Sequence, residues 1–244
     1  MVSAGAVEVE VAGGVGWVRL ARPEKRNAIT RAMRAELAEV FAALDADEAV
    51  RVAVLTGTGS AFCAGVDLTE RAPADPAAPR LTAPLDSFAK PAIAAVNGPA
   101  VGGGLELALA CDVRVASATA TFAVPEVRIG SLPGSGGVVR LRAAAPAVAA
   151  RMVFTGEPID AAEALRAGLV AEVVEPDALA GRVAALATAI AANAPLSLRA
   201  AKAVLRSGSL DEERALWAEL ATTEDRAEGR AAFREKRPPR FRGR

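Results

Sequence analysis

Residues 90–116 read KPAIAAVNGPAVGGGLELALACDVRVA. The apolar run at 91–96 predicts a buried strand, the glycine-rich stretch at 98–104 a loop, and residues 105–111 a helix. Another short strand is expected at 113–115. A strand, a loop, a helix and a second strand in this order predict two parallel strands joined by a helix, which is the repeating unit of an α/β fold.

The same alternation extends through the first half of the chain. Residues 7–11 and 16–20 predict two strands joined by a Gly-Gly turn, and residues 52–56 predict a short buried strand. Thr30 is placed to cap a helix whose apolar residues recur at helical spacing. Residues 121–123 predict one more strand. We therefore expect a mainly parallel sheet with helices packed on it.

Helical patterns dominate from about residue 135 onward. Asp160 and Glu163 resemble a capping box, and Gly168 fits the position that follows a short helix. A brief strand is expected at 169–174. The remaining segments with helical spacing are 177–193, 195–206 and 210–227. Before this region, residues 71–84 hold four prolines, which predicts a mobile loop.

The composition excludes several kinds of chemistry. The 244 residues include 29 basic and 29 acidic side chains, so no net charge points to nucleic acid. Because the chain has no His and no Tyr, it has no imidazole base, no Ser-His-Asp triad and no phenol acid. Two cysteines cannot form a four-cysteine metal site. Proton transfer must therefore use Asp, Glu, Lys, Cys or bound water.

Nothing in the sequence indicates export or a membrane. Residues 1–5 lack the basic and apolar parts of a signal peptide. No apolar run reaches the roughly 18 residues that a membrane span needs. Two cysteines in a chain of this length do not form a disulfide framework. We therefore expect a cytoplasmic protein.

Two glycine-rich loops follow predicted strands. In residues 57–68, small side chains leave backbone N–H groups able to bind an anion or a carbonyl, although an ordinary strand-to-helix turn has the same composition. In residues 97–106, three consecutive glycines uncover the N–H groups at the start of a helix. Glu106 follows in the first turn, where it could act chemically or simply complement the helix dipole.

The third loop, residues 124–137, places Glu126 between apolar neighbours directly after a strand. This glutamate could serve as an acid or a base, or it could be a surface residue paired with Arg128. Ser135 is not a nucleophile elbow, because the G-x-S-x-G pattern is not met and no His could activate the hydroxyl. The occurrence of all three loops in this order is much less likely by accident than the occurrence of any one of them alone.

These segments resemble the crotonase family, also called the enoyl-CoA hydratase/isomerase superfamily. The matching text is RPEKRNA at 22–28, AFCAGVDL at 61–68, all of 90–116, FAVPEVRIGSLPGSGG at 122–137, TGEPIDAAEALRAGLV at 155–170 and FREKR at 233–237. The resemblance implies a spiral of ββα units with a helical C-terminal region. It divides the chain into a core with the acyl-CoA site, 1–180, and a helical trimerisation region, 181–244, and it implies a homotrimer or a dimer of trimers.

The resemblance also implies an acyl-CoA substrate and a set of site residues. The backbone N–H groups of Val66 and Gly103 would form an oxyanion hole, Glu106 would activate water, and Glu126 would supply a proton to the α carbon. No metal or redox cofactor is expected, since coenzyme A is part of the substrate. The residues expected to bind the substrate are Lys25, Arg26, Ala28, Ala64, Asp67, Leu68, Pro125, Gly134 and Lys236.

The pair of glutamates favours a hydratase, with fatty-acid β-oxidation as its setting. Family members that shift a 3-enoyl double bond typically keep only the equivalent of Glu126, and several other branches need a His or a Tyr. Three alternatives stay open: an isomerase, a hydratase for aromatic or branched acyl groups, and a non-catalytic protein that binds a partner, even RNA. Lys25 and Lys236 could also be plain surface charges, and Cys63 and Cys111 are expected to be packing residues.

Overall fold

A computed structural model describes residues 6–70 and 77–244 of the chain. Its strands are β1 (Val7–Ala12), β2 (Val15–Leu20), β3 (Val52–Gly57), β4 (Ala92–Val96), β5 (Ala100–Val101), β6 (Val113–Ser117), β7 (Thr121–Ala123), β8 (Ile159–Asp160) and β9 (Glu172–Val174). The larger sheet has the order β1-β2-β3-β4-β6-β9, in which only β1 and β2 are antiparallel. A small sheet has the order β5-β7-β8.

The helices connect and cover these strands. They are α1 (Arg31–Ala46), α2 (Ala83–Ser87), α3 (Gly103–Ala110), α4 (Gly137–Ala144), α5 (Pro146–Thr155), α6 (Ala161–Arg166), α7 (Leu179–Ala191), α8 (Pro195–Ser207), α9 (Leu210–Leu220) and α10 (Glu224–Glu235). A 3-10 helix, Pro125–Ile129, follows β7. The α/β prediction with a mainly parallel sheet and a helical C-terminal region is confirmed.

Both faces of the central sheet are buried, which explains its continuous apolar strands. In β3, Ala53 and Leu55 belong to the main core with α1 and α3, whereas Val52 and Val54 pack in a second core with α7. Successive side chains of a strand point to opposite faces, so one strand contributes to two cores.

The hairpin of β1 and β2 and the start of α1 agree with their predictions. The Thr30 hydroxyl accepts a hydrogen bond from the Met33 N–H, as expected of a capping residue. In the same way, the Asp160 carboxylate accepts one from the Glu163 N–H at the start of α6, and Gly168 adopts the left-handed conformation after it. Local capping chemistry was therefore a reliable guide to where these helices begin and end.

Several predicted boundaries were wrong. Helix α3 begins at Gly103, not at residue 105, and only Glu172–Val174 of the predicted strand at 169–174 pairs with a neighbour. The helix predicted over 210–227 is two helices, because Thr223 caps a new helix by accepting from the Arg226 N–H. The loop predicted at 71–84 ends where α2 begins, and its residues 71–76 lie outside the described part of the chain.

The C-terminal helices attach to the sheet through buried polar contacts. Helix α7 spans the domain boundary predicted at residue 180. From α8, Lys202 donates to the Lys90 carbonyl at 2.6 Å and pairs with Asp112 at 2.8 Å. Within the described residues no single helix is long and apolar enough to cross a membrane; the segments Pro176–Ala191 and Pro195–Ser207 reach that length and composition only as a pair bent by 107°.

Candidate active site

Two asparagine side chains hold the loop after β3 in place. Asn27 is fully buried, adopts a positive φ of 58°, and donates its amide to the Ala61 carbonyl at 2.9 Å. Asn97 donates to the Gly59 carbonyl at 3.0 Å and accepts from the Gly57 N–H at 3.1 Å. Because these amides satisfy backbone groups that no strand pairs, they fix a loop that lacks regular structure.

Helix α3 approaches the same loop so closely that only glycine fits at the contact. A Cβ on Gly104 would lie 2.2 Å from the Cys63 carbonyl oxygen. The Cys63 carbonyl also accepts from the Val101 N–H, and the Cys63 N–H donates to the Pro99 carbonyl. The glycine-rich start of α3 is thereby pressed against residues 61–66.

This contact brings the N–H groups of Val66 and Gly103 together. The Val66 nitrogen is 3.6 Å from the point that a Cβ on Gly103 would occupy. Within residues 6–70 and 77–244, neither N–H has a hydrogen-bond acceptor. Gly103 is the first residue of α3, where the helix dipole favours negative charge. Two adjacent free donors of this kind can bind a carbonyl oxygen that gains charge.

Glu106, on the first turn of α3, is buried and held in one orientation. Its Oε1 accepts from the Ser135 N–H at 2.6 Å and from the Gly137 N–H at 2.9 Å. A Cβ on Gly137 would lie 3.0 Å from the Glu106 Cγ, so the glycine makes room for this approach. The backbone of Ser135, before α4, and of Gly137, at its start, thus binds one carboxylate oxygen.

Glu126 stands in a contrasting environment on the 3-10 helix Pro125–Ile129. Its Oε2 is buried and has no hydrogen-bond partner in the described structure. Burial raises the pKa of this carboxyl, and the charge of Glu106 raises it further. The other oxygen lies 2.8 Å from the point that a Cβ on Gly102 would occupy, at a positive φ of 53°. Gly102 therefore leaves space for the carboxylate.

Both glutamates line one cavity of about 1600 Å³. Much of its wall is apolar and comes from α1, α2 and the segment after Glu126. Ring centroids of Phe41 and Phe88, two of the wall residues, are 5.3 Å apart in an edge-to-face pair. The cavity also contains the predicted site residues Val66, Gly103, Ala64, Asp67, Leu68, Pro125 and Gly134. The structure thus brings together most of the residues that the sequence analysis selected.

Four predicted binding residues lie outside that cavity. Lys25, Arg26 and Ala28 adjoin it, since the Ala64 N–H donates to the Arg26 carbonyl at 2.9 Å. Lys236 is exposed at the C-terminal end of α10 and does not line the cavity wall. Within one chain, therefore, the structure does not join Lys236 to the other predicted site residues.

Asp67 and the cysteines have definite structural surroundings. The Asp67 carboxylate accepts from Thr69 at 2.6 Å and pairs with Arg22 at 2.5 Å, and these contacts lower its pKa. Burial raises the pKa of Cys63 and of Cys111 to about 12, so both are thiols at neutral pH. Across the described ranges, no group of three or more Cys, Asp or Glu side chains is arranged to hold a metal ion.

Sequence reasoning missed the residues that position the site. Asn27, Asn97 and Ser135 each form hydrogen bonds with backbone groups far away in the chain. For example, the Leu81 N–H donates to the Ser135 hydroxyl at 2.9 Å. Only Asn27 carried a usable signal, since asparagine tolerates the left-handed conformation better than most residues. The other two partnerships depend on tertiary contacts.

Comparisons with known proteins agree over almost the whole chain. A family model described as enoyl-CoA hydratase/isomerase matches residues 10–244. The chain is 47% identical to an (E)-benzylidenesuccinyl-CoA hydratase of Thauera aromatica, with 97% of this chain and 99% of that protein covered. It is 44% identical to a 2,3-dehydroadipyl-CoA hydratase of Escherichia coli, with 92% and 94% covered. A crystal structure of an enoyl-CoA hydratase subunit from Geobacillus kaustophilus superposes with a TM-score of 0.91 at 41% identity, with 98% and 99% covered.

Proposed function

The chain belongs to the enoyl-CoA hydratase/isomerase family, and from that premise we propose that it is an enoyl-CoA hydratase. The reaction is the addition of water across the 2,3 double bond of a 2-enoyl-CoA. The observation that carries this proposal is the placement of two carboxyl groups, the buried Glu106 and the half-buried Glu126, in one cavity beside the free N–H groups of Val66 and Gly103. A CoA thioester would place its carbonyl oxygen against those two donors.

In the proposed step, Glu106 is the base and Glu126 the acid. The Glu106 Oε1 is occupied by two backbone N–H groups, which leaves Oε2 to take a proton from water as its oxygen bonds to C3. The electron pair of the double bond moves toward C2, and negative charge develops on the thioester oxygen. Glu126, whose raised pKa keeps it protonated to higher pH, gives its proton to C2. Exchange with solvent then restores both carboxyl groups.

The two N–H donors would stabilise the enolate more than the ground-state thioester, because charge develops on the oxygen only during the reaction. Removal of one such donor in other enzymes costs about 3–4 kcal/mol of transition-state stabilisation. The loop from Lys25 to Ala28 and the residues Ala64 to Leu68 would bind the coenzyme A portion of the substrate. Lys236 lies away from the cavity of its own chain, so in the proposed assembly it would contribute to binding of the CoA phosphates in the site of a neighbouring subunit.

The substrate range is a separate part of the proposal. The two relatives compared above are named for benzylidenesuccinyl-CoA and 2,3-dehydroadipyl-CoA, both thioesters of dicarboxylic acids. By that likeness, unsaturated dicarboxylic acyl-CoA thioesters fall within the substrate class that we propose, beside the unbranched 2-enoyl-CoAs of β-oxidation. We further propose that the protein works in the cytoplasm as a homotrimer or a dimer of trimers.

Product analysis in heavy-oxygen water tests the reaction. The purified protein is incubated with 2-hexenoyl-CoA and, separately, with 3-hexenoyl-CoA. The products are then separated and their masses are measured by mass spectrometry. A hydratase converts the first substrate into a 3-hydroxyacyl-CoA that carries the heavy oxygen. Conversion of the 3-enoyl substrate to its 2-enoyl isomer without hydration would instead support an isomerase. Tight binding of both thioesters without turnover would support a non-catalytic binding protein.

A further inference from the structure

The two residues directly before α2, Leu81 and Thr82, lie beside both parts of the proposed catalytic site. The Leu81 side chain lines the cavity, and its Cδ2 is 3.0 Å from the point that a Cβ on Gly103 would occupy. The Leu81 N–H donates to the hydroxyl of Ser135, whose own N–H donates to Glu106 at 2.6 Å. One short segment therefore contacts a proposed oxyanion-hole residue and, through Ser135, the proposed base.

Thr82 is fully buried, and its hydroxyl does not cap the helix that it precedes. A threonine in this position ordinarily accepts a hydrogen bond from a backbone N–H of the first helical turn, but the Thr82 side chain forms no such bond. Its Oγ1 instead lies 3.0 Å from the Ser135 carbonyl oxygen and 3.0 Å from an Asp86 carboxylate oxygen. The hydroxyl thus joins α2 to the residue that binds Glu106.

The single proton of the Thr82 hydroxyl has two acceptors, and their surroundings favour the carbonyl. The two oxygens of the Asp86 carboxylate each have an arginine partner, Arg140 at 2.5 Å and Arg80 at 3.4 Å. Among the residues that the structure describes, no other donor reaches the Ser135 carbonyl. Because a buried carbonyl without a donor destabilises the fold, we expect the Thr82 hydroxyl to donate to Ser135.

The segment around Ser135 depends on such contacts for its orientation. Ser135 stands between Gly134 and Gly136, and Gly136 adopts a positive φ of 93°. Since glycine has the largest backbone freedom of all residues, the local sequence does not fix the direction of the Ser135 N–H. Leu81 and Thr82 fix it by binding the side chain and the carbonyl of Ser135.

Helix α2 is a firm support for these contacts. From α8, Arg206 donates to the Asp86 carbonyl at 2.7 Å and to the Leu85 carbonyl at 2.9 Å, near the C-terminal end of α2. The Leu85 side chain is buried in the main core. The position of Thr82 is therefore set by the body of the protein rather than by the mobile part of a loop.

We propose that Thr82 is a positioning residue of the hydratase, which orients the Glu106 carboxylate through Ser135. This inference rests on the proposed hydratase function and adds to it the side chain that orients the base. With Oε1 bound to an oriented N–H, Glu106 presents Oε2 to water in one direction. Thr82 does not line the cavity and touches none of the reacting atoms. A purely structural Thr82, which only ties α2 to Ser135, would affect stability without acting through Glu106.

Hydration of crotonyl-CoA, measured in two backgrounds, separates these roles. Thr82→Val removes the hydroxyl and keeps the shape of the side chain, whereas Thr82→Ser keeps the hydroxyl. Each substitution is made in wild type and in Glu106→Gln, because a residue that acts through the base has no effect once the base is gone. Thr223→Val is the matched control, since the Thr223 hydroxyl also binds backbone groups but lies at the start of α10, outside the cavity.

In the wild-type background, Thr82→Val should lower kcat about tenfold and leave KM nearly unchanged. This loss is smaller than the roughly hundredfold that a displacement of about 1 Å can cost. Thr82→Ser should keep most of the wild-type kcat, and Thr223→Val all of it. In the Glu106→Gln background, Thr82→Val should change kcat by less than about twofold.

Two results would overturn this inference and leave the hydratase proposal standing, provided that wild type hydrates crotonyl-CoA. One is an unchanged kcat in folded Thr82→Val, and the other is an equal fall in kcat in both backgrounds. Should Thr82→Val not fold, Ser135→Ala, which removes the acceptor of the Leu81 N–H, tests the same link by the same comparison. If wild type hydrated no 2-enoyl-CoA, both proposals would fail.

Discussion

The two glutamates of the cavity differ in what surrounds them. One oxygen of Glu106 accepts two backbone N–H groups, whereas Oε2 of Glu126 is buried without a partner. Two carboxyl groups in different environments can divide the roles of base and acid, although both are the same residue type. Both glutamates could be predicted from the sequence as candidate catalytic residues, because each follows a glycine-rich loop or a strand. The sequence could not show which of the two carboxylates accepts hydrogen bonds from backbone N–H groups, since that depends on how residues 135–137 fold against α3.

The burial of Glu126 should reduce the stability of the folded protein at neutral pH. The pKa is raised from its ordinary value of 4.5, so the folded protein binds this proton more tightly than the unfolded chain does. A carboxyl group of this kind destabilises the fold progressively as pH rises above 4.5. Glu126→Gln removes the ionisation and should therefore raise the melting temperature more at about pH 8 than at about pH 4.

Thermal unfolding of wild type and Glu126→Gln across this pH range measures the effect. Glu157→Gln is the control, because Glu157 is exposed on the surface and should show no such trend. If the difference in melting temperature between Glu126→Gln and wild type were independent of pH, ionisation of Glu126 would not destabilise the folded protein. That result would remove the physical basis for its role as the acid.

At the scale of elements, α3 is the piece that assembles the site. Its first residues supply a free N–H at Gly103 and the Glu106 carboxylate, and Gly104 permits the close approach to Cys63. The helix itself was predictable from its apolar run. Its start was predicted two residues late, because glycine has a low helix propensity and the contact that favours glycine here is tertiary.

Gly104→Ala should destabilise the protein strongly. The added Cβ would lie 2.2 Å from the Cys63 carbonyl oxygen, which is backbone and cannot move aside easily. We expect a loss of about 3 kcal/mol in the free energy of unfolding, measured by urea denaturation. The matched control is Gly181→Ala on α7, where an added Cβ meets nothing within 4 Å and should stabilise the helix by about 0.5–1 kcal/mol. Equal changes in the free energy of unfolding for Gly104→Ala and Gly181→Ala would contradict the close packing of α3 against Cys63.

At the scale of the whole molecule, the order of the loops along the chain predicts the architecture well. The strands of the larger sheet, the helical second half and the grouping of the predicted carboxylates and donors in one cavity all agree with it. What the sequence could not predict are contacts between distant segments, such as Asn27 with Ala61 or Leu81 with Ser135. Those partners share no local pattern, because each is defined only by the folded backbone.

The C-terminal helices expose large apolar side chains that a single chain does not cover. Leu205, Leu210 and Phe233 are 83%, 81% and 86% exposed. Exposed apolar surface of this kind is typical of subunit contacts. For the proposed homotrimer or dimer of trimers, light scattering on the purified protein should give the mass of three or six chains of 24.8 kDa each. Phe233→Glu should shift the mass toward that of one chain, and a wild-type mass of 24.8 kDa would contradict the proposed assembly.

The most direct test of the two-carboxylate site is the rate of crotonyl-CoA hydration by Glu106→Gln, Glu126→Gln and the double variant. Each single substitution should lower kcat/KM about a thousandfold, since each removes one proton transfer. The kcat/KM of the double variant should be only slightly below that of the less active single variant, because the two residues act as a unit. Glu157→Gln should match wild type. Wild-type hydration in either single variant, with the fold intact, would contradict the account.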